Sequence, residues 1–281
     1  MRPPNAESVR EVLRDCEVVL LAATEAEAAP VRTALVEPAE HVVATKTVYT
    51  GLLTTSPSER PRGPGVPVVV AVTDCDKTNA AHMLTYLLET VVPMPRLVLQ
   101  FGIAGAFVRP RGELEVQAAI GDVVLATSEA YSDTGSSSPQ GWLSAADLGL
   151  PVARIDGLET GGEFPLDPAL VGAAADVLRE ADWLDGVVEG PCVTSSRVTG
   201  LYSEAEETVA RWGAVAESME GAAAAHICTL YGVPFLEIRA VSNLVVDRDR
   251  SSWQVERAVA VAGRAALVIV AAFDRLPIEW R

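Results

Sequence analysis

Glu25, Glu27, Glu220 and Asn243 lie close behind short apolar runs, within four segments that could carry chemistry. These are Ala23-Thr24-Glu25-Ala26-Glu27, Phe101-Gly102-Ile103-Ala104-Gly105-Ala106, Glu217-Ser218-Met219-Glu220-Gly221 and Arg239-Ala240-Val241-Ser242-Asn243. In α/β sheets ligands bind beyond the carboxyl ends of the strands, so strand-to-helix turns are where such groups would meet a substrate. An ionised carboxylate only accepts hydrogen bonds, whereas the Asn243 amide both donates and accepts. Each residue also has a purely structural use. Glu25, Glu27 and Glu220 stand where a carboxylate favours the positive end of the helix that follows, by a few tenths up to ~1 kcal/mol. Gly102 and Gly105 suit a turn with positive φ, and Ser242 and Asn243 are common cap and turn formers. Taken singly, the structural use is the better reading at every one. Neither GxGxxG nor GxxxxGK[ST] occurs, so dinucleotide and P-loop readings lack their motif.

The elements that must hold these segments alternate short β-type runs with longer helix-type stretches, the pattern of an α/β domain. The apolar runs predict strands at residues 18–23, 42–48, 66–73, 97–101, 122–127, 187–194 and 234–241. Several are near-continuous Val/Leu/Ile, as in strands buried on both faces. Helices are expected at about 26–35, 78–90, 168–181, 204–212, 221–231 and 253–273. Residues 134–165 are rich in Ser, Gly and Pro and read as a long loop. Loops beyond about 12 to 15 residues tend to be functional or disordered, so a surface insertion and a substrate lid are equally open.

The 281 residues are 49% hydrophobic, enough for one substantial core. No apolar run reaches the roughly 18 residues a membrane span needs, and residues 1–14 lack the apolar centre of a signal peptide. A cytoplasmic location is the default expectation. Cys16, Cys75, Cys192 and Cys228 are scattered with no CxxC pair, and His41, His82 and His226 lie far apart. That pattern indicates neither a zinc site nor a disulfide framework, so no metal and no cofactor is expected. A net charge of -16 disfavours nucleic-acid binding, because phosphate contacts need clustered Lys and Arg.

Together and in this order, FGIAGAF at 101–107, IGDVV at 120–124, SMEGA at 218–222 and VPFLEIRAVSN at 233–243 resemble the purine nucleoside phosphorylase and nucleosidase superfamily. Within it the chain is most similar to members that use water. The resemblance covers about residues 18–273 and implies a single three-layer α/β/α domain, its central mixed twisted sheet flanked by helices. Residues 1–16 would be an N-terminal extension and 17–281 the nucleosidase domain, with an insertion at about 134–165.

By this resemblance Glu27 orients the attacking water, with Glu25 as the fallback if the turn is shifted by two. A carboxylate beside C1′ can take a proton from water and balance an oxocarbenium-like charge. Glu220 would bind the ribose 2′- and 3′-hydroxyls, with Met219 beneath the sugar. Ala104 and Gly105 would bring backbone close to the base, while Val198, Thr199 and Ser242 complete the binding set. Relatives acting on methylthioadenosine carry Asp at the position of Asn243, where it protonates N7 and receives the 6-amino group. Asn cannot act as an acid, but its amide suits a 6-oxopurine, so hypoxanthine or guanine is the expected base.

The water-using branch with Asn at this position releases hypoxanthine from a nucleoside bearing an aromatic carboxylate at its 5′ end. Tyr131-Ser132-Asp133, Arg248-Asp249 and Trp253 are similar to that branch. Arg109, Arg154 and Arg248 are open candidates to meet the 5′ carboxylate, and a solvated surface arginine is the better reading of each taken singly. Thr73-Asp74-Cys75-Asp76-Lys77 departs from the family's Gly-x-Gly turn, and its aspartates oppose a bound phosphate. A hydrolase is therefore favoured over a phosphorylase, a methylthioadenosine-type nucleosidase is the other alternative, and a non-catalytic nucleoside binder ranks third. The expected partner is a small-molecule nucleoside, with neither nucleic acid nor membrane. The family further implies a homodimer or higher homo-oligomer.

Overall fold

The computed structural model describes residues 10–278 except 12, 55–64, 92, 112, 140 and 156; the side chains of 109–116 and 158 also fall outside that description. The chain runs β1 (Val18–Ala22), α1 (Glu25–Ala34), β2 (Val36–Val43), β3 (Lys46–Leu53), β4 (Val66–Val72), α2 (Lys77–Thr90) and β5 (Leu97–Arg111). It continues through β6 (Glu113–Val116), β7 (Val123–Tyr131), β8 (Gly135–Ser138), β9 (Gly141–Ser144), β10 (Ala153–Ile155), β11 (Leu158–Thr160) and β12 (Glu163–Pro165). Then follow α3 (Pro168–Arg179), β13 (Val187–Thr194), α4 (Tyr202–Trp212), β14 (Ala216–Ser218), α5 (Gly221–Tyr231), β15 (Phe235–Val245) and α6 (Val255–Ala271).

The β-branched runs form a central mixed sheet, as expected. β1 lies between β4 and β5 and is parallel to both, and its five residues are all buried. The far half of the sheet curls. β5 pairs with β14, β14 with β13, and β13 with β7, while β15 runs parallel to β5 and antiparallel to β7. β15 thus closes five strands into a ring. Helices pack around this frame: α1 on α6, α2 on α5, and α6 across β15 and β5. Among the described residues no helix is long and apolar enough to cross a membrane.

Several sequence-based expectations change. The strand expected at 42–48 is a hairpin, because Ala44 and Thr45 take positive φ (47° and 69°) and turn β2 into β3. Residues 101–106 and 239–243 are not strand-to-helix turns. β5 and β15 continue through them, β15 with a register shift against β5 between Val241 and Asn243, since small residues that suit a turn also suit strands whose neighbours approach closely. The long loop at 134–165 holds two short hairpins, β8–β9 and β10–β11. It then returns to the sheet where β12 pairs with β7. β14, three residues long, is too short to show any period.

Candidate active site

The residues singled out converge around the carboxyl end of β1 and the middle of β5 and β15. Thr24 caps α1, its hydroxyl accepting from the Glu27 N–H at 3.2 Å. The Thr24 N–H (3.0 Å) and hydroxyl (2.8 Å) both donate to Glu27 Oε2, a reciprocal capping box. This is the structural use anticipated for Glu27, yet the carboxylate does more. Its Oε1 accepts the Ile103 N–H of β5 at 3.0 Å, which pulls the side chain off the helix end and buries it over the sheet. Gly102 makes this possible, since a Cβ there would stand 2.5 Å from Glu27 Oε1 and 3.0 Å from Arg239 Nη1. Glu25 points elsewhere, accepting from the Tyr49 hydroxyl at 3.0 Å, so the geometry favours Glu27 over its fallback.

Arg239, 1% exposed, organises the next layer. Its Nε donates to Glu237 Oε1 at 2.6 Å and its Nη2 lies 3.4 Å from Glu220 Oε2. Glu220 Oε1 accepts the Asp76 N–H at 3.1 Å. Burial raises the Glu220 pKa, and the Arg239 charge opposes it. Asp76 belongs to the turn that lacks the family's glycines, and it takes φ 88° and ψ 153°, a region populated almost solely by glycine. Its carboxylate accepts from the Ser196 hydroxyl at 2.5 Å. The neighbouring Lys77 pairs with Asp133 at 2.5 Å, and Asp133 accepts the Ser196 N–H at 2.9 Å. The turn is therefore knitted to Tyr131-Ser132-Asp133 and held against Glu220 without glycine.

Behind Glu220 lies a carboxyl group that sequence reasoning passed over. Glu129 is fully buried and accepts the Thr194 hydroxyl at 2.8 Å, while that hydroxyl accepts the Ala222 N–H at the start of α5 at 2.7 Å. Glu129 Oε1 and Glu237 Oε2 converge on Gly221, where a Cβ would meet them at 2.4 and 2.3 Å. Burial, then the neighbouring Glu237 charge, pushes the Glu129 carboxyl well above the ordinary carboxylate range. A carboxyl raised by folding stabilises fully below its unfolded pKa, about 4.3, and that contribution fades as pH rises through the folded value. Glu129→Gln, which keeps the neutral shape, should therefore weaken the decline of Tm as pH rises above about 4.3. Parallel melting curves for the two proteins would contradict a protonated Glu129.

On the base side, Asn243 lies opposite Gly105 across the β15–β5 pair. The Ser242 hydroxyl donates to Asn243 Oδ1 at 2.8 Å and also lies 3.1 Å from the Ala104 carbonyl. Asn243 Nδ2 donates to the Leu244 carbonyl at 3.2 Å, and its second hydrogen has no partner among the described residues. Thr199 sits nearby, its N–H (2.8 Å) and hydroxyl (2.5 Å) both donating to Glu217. Glu217 is buried, which raises its pKa, and the two Thr199 bonds oppose the rise. Met219 is half-buried, and Val198 is 37% exposed.

Of the three arginines considered for a 5′ carboxylate, Arg154 pairs with Glu159 on an exposed hairpin. The Arg109 side chain lies outside the described residues. The Arg248 N–H donates to the Gly200 carbonyl at 3.1 Å, and its guanidinium stacks on Trp253 with 4.8 Å to the ring centroid. The Arg248 backbone is thereby joined to the segment carrying Thr199.

A mixed sheet closed by β15, with buried carboxylates brought together between its strands, defines an α/β fold. The chain belongs to the phosphorylase superfamily, whose family model matches residues 17–276. It is 33% identical to the futalosine hydrolase of Thermus thermophilus over 74% of this chain and 83% of that protein. It is 29% identical to the 5'-methylthioadenosine/S-adenosylhomocysteine nucleosidase of Chromohalobacter salexigens over 75% of this chain and 81% of that one. Among solved structures, a nucleosidase of the latter kind from Neisseria meningitidis superposes with a TM-score of 0.73 at 22% identity, covering 91% of this chain and 98% of its own.

Proposed function

We propose that this protein hydrolyses the N-glycosidic bond of futalosine, releasing hypoxanthine and dehypoxanthinyl futalosine, as a step in menaquinone biosynthesis. The observation that carries the reading is Asn243, held beside Gly105 by Ser242, on the same sheet end as Glu27 and Glu220. In the proposed mechanism Glu220 accepts hydrogen bonds from the ribose 2′- and 3′-hydroxyls while Met219 packs under the sugar. Positive charge develops at C1′ as the C1′–N9 bond breaks. Glu27 takes a proton from water, whose oxygen bonds to C1′; the base leaves with the C1′–N9 electron pair, steadied by a hydrogen bond from Asn243 over Ala104 and Gly105, and takes its proton from solvent. Arg248 is proposed to meet the 5′ aromatic carboxylate.

Two readings stand behind this one. Similarity to methylthioadenosine/S-adenosylhomocysteine nucleosidases supports an adenine-releasing enzyme, against which Asn243 offers no acid for N7. A phosphorylase would bring phosphate to a turn carrying Asp74 and Asp76, where like charges repel. Retention of both Glu27 and Glu220 disfavours a mere binder. We further propose a cytoplasmic homodimer or larger homo-oligomer, to be read by light scattering. The test of substrate is base release from futalosine, inosine and methylthioadenosine side by side. The proposal expects fast release from futalosine alone, and adenine release from methylthioadenosine at a higher rate would replace it with the nucleosidase reading.

A further inference from the structure

Arg239 is divided unequally between two carboxylates. Its Nε–H donates to Glu237 Oε1 at 2.6 Å, while its Nη2 lies 3.4 Å from Glu220 Oε2. The Nε–H and the neighbouring Nη2–H form the parallel edge of a guanidinium, which grips both oxygens of one carboxylate when no other competes. Here Glu237 takes the tighter half of that edge. All three side chains are buried, so solvent screens little of the competition. Among the described residues, Arg239 is the one cation paired with Glu237.

The division sets what Glu220 can offer a sugar. An ionised carboxylate has about four lone-pair sites. On Glu220 the Asp76 N–H occupies one at Oε1 and Arg239 one at Oε2. One is left on each oxygen, as many as the 2′- and 3′-hydroxyls of a ribose need. With the Glu237 charge gone, both donors of the Arg239 edge would be drawn to Glu220, and a single site would remain. Glu237 is 0% exposed and acts from behind, through Arg239.

We propose that Glu237 is a positioning residue for sugar recognition: by holding Arg239 it keeps Glu220 open to both ribose hydroxyls. This rests on the proposed role of Glu220 toward the ribose. The test is kcat and KM for whichever of futalosine, inosine and methylthioadenosine is cleaved fastest, and for its 2′-deoxy and 3′-deoxy forms. The wild-type enzyme should lose ~10-fold or more in kcat/KM for each missing hydroxyl, the scale of a hydrogen bond to a charged group. Glu237→Gln keeps the shape and removes the charge. It should raise KM for the complete nucleoside by ~10-fold, change kcat by only a few-fold, and abolish discrimination against at least one deoxy form. An equal loss for all three nucleosides, or no loss, would mean that Glu237 only fills the core, and would overturn the proposal while leaving the reading of Glu220 intact. Glu129→Gln leaves the Glu237 charge in place and should discriminate as the wild type does. Lost discrimination there would mean that any change in the buried cluster disturbs Glu220, and would overturn the proposal too. If Glu237→Gln does not fold, Glu237→Asp, which draws the charge back from Arg239, should show the same change at smaller size; wild-type discrimination there would count against the proposal equally. A wild-type enzyme indifferent to both hydroxyls, or one that cleaves none of the three nucleosides, would bring down the reading of Glu220 and this proposal together.

Discussion

Glu27→Gln should lower the rate of hypoxanthine release by ~10² to 10³-fold or more, the scale expected when one preorganised catalytic group is lost, while nucleoside affinity changes by only a few-fold. The variant keeps the shape of the side chain and removes its capacity to take a proton. The surroundings set a second consequence. Glu27 accepts from Thr24 at Oε2 and from Ile103 at Oε1, so an amide must turn its NH₂ toward a donor on one side. That conflict costs about 1–3 kcal/mol if it stays buried, and it should appear as a lowered Tm in the same preparation. Single-turnover release with saturating substrate separates the two effects, since a folded fraction still binds. Undiminished turnover in folded Glu27→Gln protein would remove Glu27 from the chemistry and leave it the capping residue it also is.

Asn243→Asp should move selectivity toward 6-aminopurine nucleosides, by ~10 to 10²-fold in the ratio of kcat/KM values, the worth of one hydrogen bond to a charged group. The Ser242 hydroxyl that holds Asn243 Oδ1 at 2.8 Å can hold an aspartate oxygen in the same place, so the substituted side chain should keep its direction. What changes is polarity: the free amide hydrogen becomes an acceptor for an amino group or, when protonated, an acid toward N7. An unchanged ratio between futalosine and its 6-amino counterpart would mean that Asn243 does not face the base.

Much of this site was legible before the fold was known, through order rather than through any single residue. Glu27, Glu220 and Asn243 each have an ordinary structural use, and the structure keeps one of those uses in full at Thr24 and Glu27. The central sheet was equally legible, because strands buried on both faces leave near-continuous apolar runs. Its closure was not. Whether β15 pairs on one side or on both depends on strand curvature, which no side-chain period reports.

Glu237 did leave a signal: a charge inside an apolar run, two residues before Arg239 and so on the same face of a strand. The Glu237–Arg239 ion pair is the physical sense of that spacing. Glu129 was hidden because the apolar run before it ends at Ala126, although the strand continues to Tyr131.

The measurement that bears most directly on the account is the initial rate of hypoxanthine release from futalosine with and without inorganic phosphate. The account predicts equal rates and a free reducing sugar in both buffers, because in the proposed mechanism Glu27 activates water and the carboxylates of Asp74 and Asp76 would repel phosphate. Release that requires phosphate and yields a sugar 1-phosphate would contradict it.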